Sequence, residues 1–292
     1  MTNHRYVGRF APSPTGPLHF GSLVAALASY LDAKANGGRW LVRIEDLDPP
    51  REVTGSSTHI LKQLQALGMN WDDDVLYQST RLSAYERILQ QLENLEYCFN
   101  CDCSRQRVSG LGGVYDGRCR SRGLNPSPGL AIRLKTSSKT VRFADGIQGD
   151  YVQNLEHEVG DFILRRRDGL FAYQLAVVAD DAAQKITHIV RGYDLLSSTP
   201  RQIYLQQLLG LPTPSYAHIP IVVNELGQKF SKQHFAKPID LKNAPSLLVS
   251  ALQFLGMTPP PTLIGAAPAA LMAWGAKHWD IQRVPKLAKM TR

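Results

Sequence analysis

The strongest constraint on this chain is the run RFAPSPTGPLHFG at residues 9–21. Residues 6–10 read as a short buried strand. Leu23, Leu27, Tyr30 and Leu31 then recur at helical spacing until Gly37 and Gly38 supply a stop. A strand, a proline- and glycine-rich loop and a helix start suit phosphate, because the first helical turn turns its free N–H groups toward negative charge. There is no G-x-x-x-x-G-K-[ST] and no G-x-G-x-x-G, so the P-loop and dinucleotide signatures are both excluded. A plain strand-to-helix connection with structural prolines is the competing reading. A second basic element far downstream, Lys229-Phe-Ser-Lys232, weighs against it.

Residues 40–44 form a second apolar strand ending in Glu45, Asp46 and Asp48. Ligands of open α/β sheets collect at the carboxyl ends of strands, so these acids are placed to matter; a solvated acidic turn before Pro49 and Pro50 would read the same way. Ile60, Leu61, Leu64 and Leu67 mark one amphipathic helix, and Ile88, Leu89, Leu92 and Leu95 a second. Residues 98–128 are rich in Cys, Gly, Arg and Ser without apolar periodicity, so they need a staple or a firm seat on their neighbours. Residues 132–135, 140–143 and 162–165 alternate like strands of a small antiparallel unit. Helical spacing returns after Tyr173, followed by a strand at 186–190 that leads to Arg191, a helix at 200–209 and a strand at 218–223. Two further helices are expected at 247–255 and 268–274.

All four cysteines, Cys98, Cys101, Cys103 and Cys119, fall in one short window. No apolar run follows the N-terminal residues, so no export signal is expected and the cytoplasm is the expected compartment. Clustered cysteines there read as metal ligands or chance rather than disulfides. Cys101, Cys103 and Cys119 offer three soft ligands, and the fourth could be Cys98, Tyr115 or no protein group; spacing alone favours Cys98. A metal-free reading, with the cysteines as small buried residues, stays open. The stretch 259–276 is too broken by proline and glycine to span a bilayer. A net charge of +8 favours a polyanionic partner over a merely solvated basic surface. Arg165, Arg166 and Arg167, with Arg105, Arg107, Arg118, Arg120 and Arg122, are the candidates to follow a nucleic-acid backbone.

Pro17-Leu-His-Phe-Gly21 resembles the His-Ile-Gly-His signature of class I aminoacyl-tRNA synthetases, and Lys229-Phe-Ser-Lys232 resembles their Lys-Met-Ser-Lys-Ser signature. Residues 9–16 together with Arg43-Ile-Glu-Asp-Leu-Asp48 are similar to the glutamyl branch. Ser22, Phe230 and Gln233 depart from these signatures. The resemblance implies an α/β fold with a Rossmann-like parallel nucleotide-binding sheet. Residues 1–97 and 173–235 would build that sheet, 98–172 would be an inserted zinc-bearing α+β acceptor subdomain, and 236–292 a short helical region. A sizeable anticodon-binding region is expected to be absent. The truncated layout resembles those branch members that esterify glutamate onto queuosine, the modified wobble base of tRNA(Asp).

That resemblance implies ATP with Mg2+ as substrate, although no Mg2+ ligand set can be read. Glutamyl-adenylate forms when a carboxylate displaces pyrophosphate from the α-phosphate; the nucleophile is already ionised, so alignment and charge neutralisation do the work. His19 and Gly21 at the helix start, with Lys229 and Lys232, are the expected ATP-binding and catalytic set. A capping or core histidine and a solvated lysine pair are the plainer alternatives. Arg9, Ala11, Ser13, Glu45, Tyr173 and Arg191 are expected to bind L-glutamate. Two arginine forks would face its carboxylates and Glu45 its ammonium. Val177 stands where an Asn is expected. The resemblance places one structural Zn2+ on Cys101, Cys103, Tyr115 and Cys119, and the anticodon arm of tRNA(Asp) on a monomeric protein that touches no membrane. A ligase using another acceptor, or a non-catalytic tRNA-binding relative, are the alternatives.

Overall fold

Val7–Phe10 forms β1, buried throughout, in a computed structural model that describes residues 6–225, 227 and 237–291. The following loop ends at His19, whose extended backbone and side-chain acceptor start α1 (Phe20–Ala35). At Gly38 a Cβ would come within 2.5 Å of the Tyr6 carbonyl, so only glycine lets the chain fold back beside β1. It then forms β2 (Arg39–Ile44), parallel to β1 with Val7 opposite Arg39 and Phe10 opposite Val42. After α2 (Ser56–Ala66), the two-residue β3 (Leu76–Tyr77) adds to β2, again parallel. α3 (Leu82–Asn94) completes this half, its buried face made by Tyr85, Leu89 and Leu92.

The next segment contains β4 (Cys98–Cys101), α4 (Arg105–Gly110), β5 (Ala131–Leu134), β6 (Thr140–Asp145), β7 (Gly149–Asn154), α5 (Leu155–Glu158) and β8 (Phe162–Arg165). β4, β5 and β8 make a three-stranded antiparallel sheet; β5 and β8 are the strands expected at 132–135 and 162–165, while β4 lies in the stretch read as lacking periodicity. The strand expected near 140 goes elsewhere. The chain continues through α6 (Tyr173–Ala183), β9 (His188–Gly192), α7 (Thr199–Leu208) and β10 (Ser215–Ile219). β6 and β7 form a hairpin that joins β9 and β10 in the order β7-β6-β10-β9, with Asp145 opposite Tyr216. Alternation reports which face of a strand is buried but not which strand lies beside it.

Thr187 sets β9 against β1: its N–H donates to the Val7 carbonyl (3.0 Å) and its Oγ1 accepts from the Val7 N–H (2.9 Å). The strand expected at 218–223 is interrupted at Pro220, which has no N–H to give a ladder. Beyond it β11 (Ile221–Val223) pairs instead with the last strand of the chain. Among the described residues, the α-helices α8 (Ala244–Phe254) and α9 (Pro268–His278) precede that strand, β12 (Lys289–Thr291). Leu248, Leu252, Leu271 and Met272 of the two helices share one apolar cluster with Leu23, Leu27 and Leu31 of α1. The C-terminal helices therefore brace the helix that follows the loop at residues 11–19. Among the described residues, no helix is long and apolar enough to cross a membrane.

Candidate active site

The six residues expected to bind glutamate lie around one hollow. Arg9, Ala11, Ser13, Glu45, Tyr173 and Arg191 all line a cavity of about 300 Å³ at the carboxyl ends of β1, β2 and β9. Parallel pairing puts the ends of β1 and β2 side by side, Thr187 holds β9 next to β1, and Tyr173 enters as the first residue of α6. Glu45 is tied down by its own N–H, which donates to the Pro12 carbonyl (2.9 Å).

Ion pairs buried behind the wall hold these charges in place. Arg9 Nε donates to Asp181 Oδ1 (3.2 Å), and so does Arg43 Nη1 (2.8 Å). Arg43 is fully buried and also reaches Gln184 Oε1 (2.9 Å) and Glu45 Oε1 (3.3 Å). Burial pushes the Asp181 carboxyl up, but Arg43 and Arg9 outweigh it and hold its pKa below the usual range. For Glu45 the balance falls the other way. Burial raises its pKa more than Arg43 and Arg9 lower it. Burial likewise pushes the Tyr173 phenol up, so it stays a neutral hydrogen-bonding group. On the next helical position, Asp180 bonds Gln78 Nε2 (2.9 Å), Arg81 Nε (3.1 Å) and Tyr85 OH (2.6 Å), which locks α6 to α3.

A second cavity, of about 450 Å³, adjoins the first and shares Phe10, Ala11, Ser13, Ala25 and Gly192 with it. His19, Gly21 and Ser22 line its helix end, and Ile219, Pro220, Ile221 and Val222 close the other side. His19 is both the cap and a cavity residue. Its Nδ1 accepts from the Ser22 N–H (3.2 Å), which leaves the proton on Nε2, 3.0 Å from Ser22 Oγ. Lys229 and Lys232 lie outside the described residues. On either side of them, the described chain leaves β11 beside this cavity and resumes at Lys237, and Pro238 bridges back to His19.

Cys101, Cys103 and Cys119 meet with their sulfurs within 4.8 Å of one another and can hold a metal ion. Tyr115 Oη completes the group, 3.5 Å from Cys101 Sγ and 3.8 Å from Cys103 Sγ, while Cys103 and Cys119 are 3.6 Å apart. Cys98 is not among them. Three positions from Cys101 on β4, it faces the opposite way, packs against the α3 and α6 cluster, and has its thiol pushed up to about 12 by burial. Each clustered sulfur instead meets an arginine: Arg133 Nε at 3.2 Å from Cys101, Arg107 Nη1 at 3.6 Å from Cys103 and Arg122 Nη1 at 3.5 Å from Cys119. Burial works against the Cys101 thiolate, but its bonds with Tyr115 and Arg133 hold its pKa below the ordinary thiol value.

Several arginines expected to face a nucleic acid are therefore engaged within the protein. Arg107 pairs with Asp116, Arg122 with Asp102, Arg120 with Asp161 and Arg165 with Glu86. Arg105, Arg166 and Arg167 line a third cavity, of about 640 Å³, which shares Tyr173 with the first hollow; of these, Arg166 also pairs with Asp48 and Asp168. Val177, fully buried among apolar neighbours, lines neither the hollow nor the cavity at His19. Sequence reading missed Asp181, Asp145 and His218. Asp180 and Asp181 interrupting an apolar helical run were the available signal for the first; nothing local marked the other two.

The chain belongs to the family described as tRNA synthetases class I (E and Q), catalytic domain, whose family model matches residues 6–114 and 118–263. It is 53% identical over 285 residues to a Glutamyl-Q tRNA(Asp) synthetase of Pseudomonas fluorescens, covering 98% of this chain and 95% of the relative. The protein of that name from Neisseria meningitidis serogroup C is 52% identical over 292 residues, with 97% and 98% covered. Among solved structures, a glutamate tRNA ligase from Elizabethkingia meningosepticum in complex with its amino acid superposes with a TM-score of 0.80 at 27% identity. That match covers 97% of this chain and 66% of that one. The glutamate-tRNA synthetase of Elizabethkingia anophelis gives 0.81 at 27% identity, covering 99% and 68%.

Proposed function

We propose that this protein activates L-glutamate with ATP and Mg2+ as glutamyl-adenylate and transfers the glutamate to queuosine, the wobble base of tRNA(Asp). One observation carries this reading: a hollow walled by Arg9, Glu45 and Arg191 opens onto the cavity at the α1 N-terminus. Arg9 and Arg191 hold the carboxylates, Glu45 the ammonium, and Ser13 and Tyr173 add neutral hydrogen bonds beside Ala11. His19 and the backbone at Gly21 face the ATP phosphates, with Lys229 and Lys232 neutralising charge as pyrophosphate leaves. No general base is needed, because the attacking carboxylate is ionised.

We assign the insert at 98–172 to the acceptor side. The arginine-lined cavity between it and α6 suits a polyanion, and shares Tyr173 with the glutamate hollow. The donor set fits Zn2+. With Zn–S near 2.3 Å, tetrahedral geometry sets sulfurs about 3.8 Å apart, close to the 3.6 Å between Cys103 and Cys119. Cys101, Cys103, Cys119 and Tyr115 would hold it, and the metal would supply a structural staple. A cytoplasmic monomer is part of the same proposal.

The test is ATP–pyrophosphate exchange across a panel of amino acids with no RNA present, followed by labelling of tRNA(Asp). Exchange with glutamate, and labelling abolished when periodate cleaves the queuosine diol, are expected. Exchange without any labelling would point to another acceptor. Absence of exchange would leave a tRNA-binding relative without catalysis.

A further inference from the structure

The two arginines of the glutamate hollow are anchored differently. Arg9 leans on a carboxylate, Asp181. Arg191 leans on an imidazole: its Nε donates to His218 Nε2 (3.0 Å), and its Nη2 donates to Thr199 Oγ1 (2.7 Å). Its Nη1 is buried without a hydrogen-bond partner among the described residues. His218 lies opposite Arg191 in the β9–β10 register and is fully buried. Its other nitrogen, Nδ1, is 2.5 Å from Asp145 Oδ2. Asp145 is pinned in turn, its Oδ1 accepting from the N–H groups of Ile147 (3.0 Å), Gln148 (2.9 Å) and His218 (3.1 Å).

This chain of bonds dictates protonation. An ionised carboxylate only accepts, so the imidazole proton sits on Nδ1 and Nε2 presents a lone pair to Arg191. Asp145 in the other state would break that order. Burial and the nearby Arg191 outweigh the Asp145 bond and keep His218 neutral, its pKa lowered to about 4. A neutral acceptor fixes the rotation of the arginine fork without cancelling its charge, which an acid in the same place would do.

We propose that Asp145 and His218 are positioning residues that fix the guanidinium of Arg191 at the wall of the hollow, in the orientation that meets a carboxylate of the amino-acid substrate. This deepens the proposed function and rests on it. Neither residue lines the hollow, so both act only through Arg191. Asp145 ends a strand of the inserted hairpin, so that segment takes part in amino-acid recognition as well as in the sheet.

Exchange kinetics on the full chain test this, with wild type, His218→Leu, His218→Gln, Asp145→Asn, Arg191→Ala and the Arg191→Ala/His218→Leu double variant, all checked by circular dichroism and thermal melting. Losing one charge-assisted hydrogen bond should raise the KM for glutamate roughly 30-fold in His218→Leu, with the KM for ATP and kcat much less affected. His218→Gln keeps an acceptor near the Nε2 position and should restore most of the affinity. Added to Arg191→Ala, the His218 change should cost almost nothing further, because its route of action is already gone. Additive losses, or equal shifts for glutamate and ATP, would reduce His218 to a core residue and overturn the proposal. If His218→Leu fails to fold, unchanged glutamate KM values in both His218→Gln and Asp145→Asn would overturn it instead. Wild type that exchanges with glutamate while every relay variant matches it sinks the relay alone; wild type without glutamate exchange sinks both readings.

Discussion

Arginines stand beside buried anions in two parts of this molecule, and the two parts are built in opposite ways. Around the glutamate hollow, Arg9 and Arg43 converge on Asp181, and the walls are strands and helices rooted in clusters of fully buried Leu, Val and Ile. Around the cysteines, the cluster at the centre is Cys101, Cys103, Cys119 and Tyr115 themselves, with Phe99, Val108 and Leu124 only partly buried beside them. The first site is carried by a core that exists without any ligand. The second site is its own core, and its arginines Arg107, Arg122 and Arg133 turn inward onto the sulfurs.

Removing the metal should break this contrast most visibly. In metal-loaded protein, chelation or Cys119→Ser should cost on the order of 10 kcal/mol of local stability. Limited proteolysis should then cut within residues 101–124 while glutamate-dependent exchange keeps its KM. A glutamate KM that rises in step with cleavage would mean that the two sites are one unit.

Asp181→Asn is the next largest change. It strips the shared counter-charge from two buried arginines, and breaking such a pair costs about 3–5 kcal/mol, readable as a lowered global melting temperature. A melting point equal to wild type would show that the hollow does not depend on this ion pair. Arg191→Ala removes a cation that faces the ligand, and should raise the KM for glutamate by the equivalent of roughly 2–3 kcal/mol. The melting temperature should move far less than in Asp181→Asn. Unaltered glutamate KM would contradict the hollow as drawn.

A pH dependence tests the support behind Arg191 directly. The His218 pKa is depressed from 6.5 to about 4, so the unfolded chain binds the proton that the folded chain refuses. Its contribution to stability is full above pH 6.5 and is lost as pH falls through about 4. Urea unfolding at a series of pH values should show stability falling across that window, and the fall should be shallower in His218→Gln.

Much of the catalytic half was legible from local pattern. The strand, loop and helix start at residues 6–35 form as read, and Arg9, Glu45, Tyr173 and Arg191 meet where the carboxyl ends of parallel strands bring them. The cysteine group was legible too, because its members lie close in sequence; strand alternation could have excluded Cys98. The supports of these residues were not legible. Arg9 and Asp181 are separated by 172 residues, Arg43 and Asp181 by 138, and Asp145 and His218 by 73. Nothing local distinguishes a buried acid in such a pair from one at the surface.

The amino-acid sequence alone determined most strands and helices of the catalytic half, where the Gly37–Gly38 stop falls, and which side chains are candidates for the chemistry. Those depend on periodicity, capping and residue type, which act over a few positions. Only the tertiary structure decided that the 140–154 hairpin extends the catalytic sheet, that Pro220 hands β11 to a C-terminal partner, and that His218 rather than an acid backs Arg191. These choices turn on which surfaces meet once the apolar faces are buried, and that competition is settled across the whole chain at once.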